Sequence, residues 1–359
     1  MSGWFDFLKY LLPDRVAPKV KGSSQLDLMF QNLVEEARIP GMSICIVKDD
    51  KTILEKGYGF ESLETRNQVN SRSTVFRIAS ISKCITGLAL GKMVEEGLMD
   101  WDASFYDFVP YYPKKKFDFT IRQLASHTAG IRGYRGKEFA LNQPYAIKES
   151  IEVFKNDPLV FEPGKGYLYN SFDSVLLSLA IQEASSMAFE EYVKEKVLIP
   201  LQMANTYTPK EVENSSFMDD DISVADFYTL KGKTPKKAIT VNNQYKLGGG
   251  GYLSTCSDII KMGQSILNGN LLKEETYKQL FAAQNVNGQS VYYGLGFQVS
   301  QDIEGRHYVG HVGNSVGAYT NFFVYPDEKV VISILINCTD PKAQGGLDEA
   351  IKQIFNKNL

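Results

Sequence analysis

Ser80 and Lys83 stand three residues apart at the head of a helical pattern that runs to Glu96, so their side chains share one helix face, a turn apart. A serine in a first helical turn feels the positive end of the helix dipole, which favours its alkoxide. The same field, together with burial, lowers a lysine pKa. The pair therefore reads as a nucleophile beside a group able to take its proton. The spacing is common, and it gains meaning from two later segments. In Pro163-Gly164-Lys165-Gly166-Tyr167-Leu168-Tyr169-Asn170-Ser171 a turn delivers Tyr169 just ahead of a helix expected from near Asp173. A tyrosine there serves as a general base where cations lower its pKa, and the Ser171 hydroxyl can hold Lys83 or a substrate amide. A turn tyrosine that only packs its ring is the plainer alternative. The segment Gly310-His311-Val312-Gly313-Asn314 follows a strand pattern, and its glycines let backbone approach a ligand closely. The N–H of Asn314 can join that of Ser80 in an oxyanion hole, with an ordinary strand-end histidine as the competing reading.

These residues need a frame. Residues 42–47 are an apolar, partly β-branched run, Asp49-Asp50-Lys51 supply a turn, and 52–58 resume an extended pattern, which predicts a hairpin. Near the other end, 291–299, 306–310, 320–325 and 330–337 are strand-like, the last two joined by the turn-forming Pro326-Asp327-Glu328-Lys329. Leu347, Ile351, Ile354 and Phe355 predict a closing helix. Between these ends, from Ala79 to about Leu267, the helical period dominates. Segregated strands and helices favour an α+β fold: one antiparallel sheet from both chain ends, flanked by helices, with a mostly helical inserted lobe. The expected division is an amphipathic segment at 1–24, a sheet lobe of 25–105 with 236–359, and a helical lobe of 106–235. The active site then falls in the cleft between the lobes.

Composition narrows the function classes. With 359 residues, 43% hydrophobic and 23% charged, the chain matches soluble globular proteins and can build a large core. Thirty-nine basic against forty-two acidic residues leave no global positive field for nucleic acid or an anionic membrane. The four cysteines are scattered, without metal-ligand spacing, so no disulfide framework, metal or other cofactor is expected. Asp219-Asp220-Asp221 lacks the glycine and closing glutamate of a calcium loop. No apolar run approaches the roughly 18 residues of a membrane span. Asp6 and Lys9 interrupt the apolar residues near the start, which argues against a cleavable signal and for a cytoplasmic protein. Trp4, Phe5, Leu8, Leu11 and Leu12 share one face of a short helix, so a homo-oligomer contact there stands beside packing on its own domain. With three histidines in all, a mechanism built on a histidine cluster is short of material.

The ordered trio of S-x-x-K at Ser80 and Lys83, a Y-x-N-like Tyr169-Asn170-Ser171 and a K-T-G-like His311-Val312-Gly313 resembles the serine β-lactamase and penicillin-binding-protein superfamily. The resemblance is to its class C-like branch, with D-aminopeptidases and esterases. Leu124-Ala125-Ser126-His127-Thr128-Ala129-Gly130 is similar to that family's L-x-S-H-T-S-G, and Gly248-Gly249-Gly250-Gly251-Tyr252-Leu253-Ser254-Thr255 to its G-G-x-x-S-T segment. The resemblance implies a β-lactamase/transpeptidase-like fold, with Ser80 acylated and Lys83 and Tyr169 managing its proton. By the same resemblance the N–H groups of Ser80 and Asn314 form the oxyanion hole, Ser171, His311 and Gly313 bind substrate, and His127 holds its loop. Two residues depart from the pattern: Ser171 replaces an asparagine that donates an amide hydrogen bond, and His311 replaces a permanently charged lysine. A histidine with an ordinary pKa of about 6.5 is mostly neutral at pH 7, which weakens attraction for a β-lactam or D-Ala-D-Ala carboxylate. The expected function is therefore a serine hydrolase of peptidase or carboxylesterase type, acting on a small-molecule or peptide substrate with weak or no β-lactamase activity. The alternatives are a catalytically silent binding or self-assembling module of the same fold, and a D-Ala-D-Ala carboxypeptidase.

Overall fold

A computed structural model of the protein describes residues 25–214 and 221–355. The amphipathic segment expected at 1–24, with its subunit contact, lies outside the described residues, as do Asp219 and Asp220 of the acidic run. Helix α1 (Gln25–Ala37) precedes strands β1 (Gly41–Lys48) and β2 (Lys51–Gly59). Helices α2 (Ser82–Glu95), α3 (Phe172–Ser185) and α4 (Cys256–Asn268) follow. The chain then runs through β3 (Gln298–Gln301), β4 (His307–Ser315), β5 (Ala318–Tyr325), β6 (Val330–Ile336) and helix α5 (Gln344–Gln353).

Six strands form one antiparallel sheet in the order β3-β4-β5-β6-β1-β2. At its centre β1 pairs with β6, Met42 opposite Ile336 and Val47 opposite Val331, so the early and late parts of the chain close the sheet on each other. All of β5 and β6, and all of β1 but its last residue, is buried. Burial on both faces explains why these strands read as continuous apolar runs and not as alternating ones. Ile44, Ile332 and Phe323 meet Leu26 and Phe30 of α1 and Leu347 and Ile351 of α5 on one face. Cys45, Val331 and Phe322 face the other way, onto Cys256 and Ile259 of α4 and the layer holding α2 and α3. The hairpin of β1 and β2 turns through Asp49 and Asp50 at φ 48° and 59°, the left-handed pair that a two-residue loop requires.

Three expectations change. The strand predicted at 291–299 forms only at its end, as β3. Tyr292 (φ 53°) and Gly296 (φ 84°) take left-handed conformations there. A Cβ at Gly296 would lie 2.6 Å from the Lys83 carbonyl oxygen, so the stretch bends beneath α2 instead of pairing. β4 runs from His307 through Ser315, which puts the Gly310–Asn314 motif inside the strand, with Asn314 opposite Tyr319, and not after it. The interior, expected to be mostly helical, also holds strands that its sequence period did not mark. Tyr228–Lys231 and Thr234–Lys237 form a hairpin, Lys231 opposite Thr234, where Gly232-Lys233 supplies a two-residue turn with Gly232 at φ 64°.

Candidate active site

Ser80 stands on a single helical turn, Ala79–Ile81, between the short strand Thr74–Arg77 and α2. It thus precedes the α-helix, where the sequence places it in the first turn. Ala79 has φ 47°, a left-handed conformation that costs a residue with a Cβ about 1–2 kcal/mol. The bend persists because its neighbours hold it. Ile78 N–H donates to the Tyr252 carbonyl at 3.1 Å, and Thr320 Oγ1 of β5 donates to the Ile78 carbonyl at 3.1 Å. The backbone of β4 lies directly against the turn: a Cβ on Gly313 would come within 2.9 Å of Ser80 N and 2.3 Å of Thr320 Oγ1. Only glycine permits that approach.

Three polar side chains converge on this turn. The Tyr169 hydroxyl donates to Ser80 Oγ at 2.7 Å. Lys83 Nζ lies 3.4 Å from Ser80 Oγ and 3.5 Å from Ser171 Oγ, and donates to the Gly249 carbonyl at 2.6 Å. Lys83 is 1% exposed, and burial holds its pKa down at about 7 although Asp173 pulls the other way. An amine with a substantial uncharged fraction near neutrality is suited to accept the serine proton. Tyr169 behaves oppositely to the expectation that cations lower its pKa. Desolvation raises it against the opposing bond to Ser80, and Lys83 Nζ meets the ring face, 4.8 Å from its centroid. The residue is 39% exposed, so water weakens that rise, but no cation reverses it. Tyr169 is a neutral phenol that donates to the nucleophile.

Behind Tyr169 lies a buried aromatic and histidine cage. His127 Nδ1 is 2.9 Å from Asp173 Oδ2, which also accepts from the Asn170 amide at 2.6 Å. The His127 ring packs 4.7 Å from that of Tyr169 and 4.8 Å from that of Tyr293. Burial, then the charge of Lys83, keeps His127 neutral, in keeping with a residue that holds its loop. His311 Nδ1 lies 2.6 Å from the Val312 carbonyl, which fixes the proton on Nδ1 and leaves Nε2 to accept from the Tyr293 hydroxyl at 3.1 Å. Burial and repulsion from Lys83 pull His311 down to about 3. His311 is therefore neutral, 1% exposed, and committed at both nitrogens, where the sequence suggested a group offered to substrate.

A cleft of about 70 Å³ opens over the nucleophile, lined by Ser80, Ser171 and Asn314 together with Tyr134, Phe139, Lys246 and Gly249. Of the residues singled out in the sequence, Ser80, Lys83, Tyr169 and Ser171 are joined by hydrogen bonds. Gly313 abuts them through backbone and Asn314 faces the same cleft. His311 stands outside it. A larger cavity of about 270 Å³ lies between β3, β4, β5 and α5, lined in part by Asp302, Arg306, Tyr308 and Asp348, away from Ser80.

The family model described as Beta-lactamase matches residues 26–355. The chain belongs to the beta-lactamase family. Among relatives in this family, the human mitochondrial serine beta-lactamase-like protein LACTB is 28% identical over 407 residues, covering 85% of this chain and 72% of its own length. An octameric penicillin-binding protein homologue from Pyrococcus abyssi superposes with a TM-score of 0.80 at 26% identity, covering 93% of this chain and 77% of that one. A D-amino acid amidase from Ochrobactrum anthropi SV3 shares the fold, with a TM-score of 0.78 at 16% identity over 92% of this chain and 99% of its own. The β-lactamase/penicillin-binding-protein fold and the serine β-lactamase-like hydrolase family are thereby established for this chain.

Sequence reasoning missed several residues of the site. Tyr293, which binds His311, lies in the stretch whose alternation reads as a strand. Asp173 is marked there only as a helix start, although Asn170 and His127 both converge on it. Lys246 stands two residues before the glycine run 248–251, and a lysine beside a recognisable glycine segment was the available signal.

Proposed function

We propose that this member of the beta-lactamase family is a serine hydrolase of peptidase or carboxylesterase type that works through an acyl-enzyme on Ser80. One observation carries the reading: Ser80 Oγ lies 2.7 Å from the Tyr169 hydroxyl and 3.4 Å from an amine that burial holds near 7. In acylation, the uncharged Lys83 amine takes the Ser80 proton as Oγ bonds to the substrate carbonyl carbon. The carbonyl oxygen becomes an oxyanion, assigned to the N–H groups of Ser80 and Asn314. The neutral Tyr169 phenol donates its proton to the leaving oxygen or nitrogen as that bond breaks, and Lys83 restores the phenol's proton. Water then attacks the ester, with the same groups passing the protons in reverse. Ser171 keeps the Lys83 amine in place from the far side.

A neutral, buried His311 supplies no cation from β4 for a β-lactam carboxylate, which supports weak or no β-lactamase activity. The test is mass spectrometry after exposure to a fluorophosphonate. One adduct on the Ser80 peptide, absent from Ser80→Ala, is expected; folded protein without an adduct removes the reading in favour of a silent module. A second reading concerns assembly. The Pyrococcus relative is described as octameric, which favours self-association of this chain too. Light scattering coupled to size exclusion distinguishes an oligomer from a monomer directly.

A further inference from the structure

One cation in the cleft has no part in the reaction just described. Lys246 sits at the end of the short turn Gln244–Lys246, is 5% exposed, and lines the cleft with Ser80, Tyr134 and Ser171. Its ammonium donates to the Phe139 carbonyl at 2.7 Å and lies 5.4 Å and 5.3 Å from the ring centroids of Tyr134 and Tyr245. An ammonium has three donors, and a buried charge is ordinarily paired with an opposite one. Here, among the described residues, no carboxylate acts on it. Burial, and then the positive charges of Lys83 and Arg77, bring it down to about 7. Arg77 is likewise spent on the carbonyls of Val316 and Val241 and on the face of Phe227, at 2.8, 3.3 and 3.8 Å. No aspartate or glutamate lines the cleft. Glu138, whose backbone carbonyl accepts from Tyr245, turns its carboxylate to Arg132 at 2.6 and 3.0 Å.

The same wall holds a second unmet donor. The Tyr134 hydroxyl is buried and makes no hydrogen bond of good geometry, although the Ser171 and Tyr245 hydroxyls lie close enough to act on it. Unsatisfied buried donors are rare because each forfeits about 1–3 kcal/mol of solvation. The spare donors of Lys246 and the poorly bonded Tyr134 hydroxyl, in a cleft without an acidic lining, together match one thing, an anion that accepts hydrogen bonds and that would hold Lys246 in its charged form. Ser171, which acts on Tyr134, also lies 3.5 Å from Lys83 Nζ.

We propose that Lys246, with the Tyr134 hydroxyl, recognises a carboxylate carried on the acyl part of the substrate, so that the hydrolase selects acyl donors bearing a free acid. This rests on the acyl-enzyme reading of Ser80. It also separates two positions: the β4 site where His311 offers no charge, and a wall on another part of the chain where Lys246 does.

The test compares 4-nitrophenyl half-esters of adipic and suberic acid with the same esters capped as methyl esters, in the wild type, Lys246→Met and Lys246→Arg. The wild type is expected to prefer at least one half-ester over its capped form by tenfold or more in kcat/KM. Lys246→Met should bring that ratio close to one, chiefly through KM, and Lys246→Arg should restore part of it. A ratio near one for both acids in the wild type, or a ratio kept in Lys246→Met, overturns the proposal. Fluorophosphonate labelling of Ser80 verifies that each variant is folded. A binding arm needs neither variant nor turnover: adipate or suberate should raise the melting temperature of the wild type where the matching diamides do not. Equal shifts overturn the proposal. If capped and free esters both go unhydrolysed and Ser80 resists the fluorophosphonate, the acyl-enzyme reading has failed, and the diacid shift still decides Lys246.

Discussion

The two sides of the Ser80 turn are built in opposite ways. Toward α2 and α3 the protein presents side chains: Tyr169 and Lys83 reach Ser80 Oγ at 2.7 and 3.4 Å, and Ser171 reaches Lys83 at 3.5 Å. Toward β4 it presents backbone. Gly313 lies against Ser80 N, while the His311 side chain turns away into the cage with Tyr293. The first side is where the proposed mechanism moves protons, which asks for groups that are polar, poised and partly open. The second is a rail, whose task is to hold peptide N–H groups still, and its side chain is free to serve packing. The difference explains how a histidine can occupy a position where the family pattern has a charged lysine without disturbing the nucleophile.

Replacing Ser80 by alanine should reduce kcat/KM by at least about 10⁴-fold and abolish fluorophosphonate labelling; retained turnover would move the chemistry elsewhere. Next in size, Lys83→Met and Tyr169→Phe should each cost about 10²–10⁴-fold. Because the two act on one proton, the double variant should lose little more than the worse single one. Multiplying losses would show that they work independently and break the contrast between the two sides.

The pH profile sharpens the contrast further. Below about 7 the Lys83 ammonium cannot accept a proton, so kcat/KM should fall up to tenfold per pH unit as pH drops through that value. His311, held near 3, should add no inflection between pH 5 and 8, and one near 6 that disappears in His311→Gln would make β4 a charged partner after all. The stability prediction has its own sign. Between about 3 and an unfolded value near 6.5, the unfolded chain binds the His311 proton and the folded one does not, so stability rises with pH across that window. His311→Gln should flatten this acid limb in denaturant titrations. The smallest effect belongs to Tyr293→Phe. It leaves His311 Nε2 without its donor, which should cost about 1–3 kcal/mol of stability but less than tenfold in activity.

Much of the sheet is legible in the sequence because double-sided burial writes itself as apolar runs, as in β1 and β6. Their pairing is not, since the register joins residues such as Cys45 and Ser333 that no local pattern relates. Ser80, Lys83 and Tyr169 stand out because the chemistry demands particular functional groups at particular spacings. Their protonation does not stand out. Lys83 and Tyr169 move in opposite senses from the same cause, burial, which becomes visible only when the surrounding residues are in place. The orientation of His311 depends on Tyr293, and Tyr293 on the left-handed bend at Tyr292 and Gly296 that overrides an apparent strand period. Lys246 carries no motif because its meaning lies in what its neighbours lack.

Thr320 of β5 grips the carbonyl of Ile78 across 242 residues of chain. During synthesis, the serine and its lysine therefore leave the ribosome long before the strands that bend their turn and align the peptide N–H groups. Contacts this distant in sequence form late, after the loop between them has been closed. The nascent chain should then carry Ser80 in an unset form, with reactivity expected as a single late event when β4 to β6 dock. Fluorophosphonate labelling of stalled chains of increasing length should remain absent until β6 has cleared the exit tunnel, then appear at once.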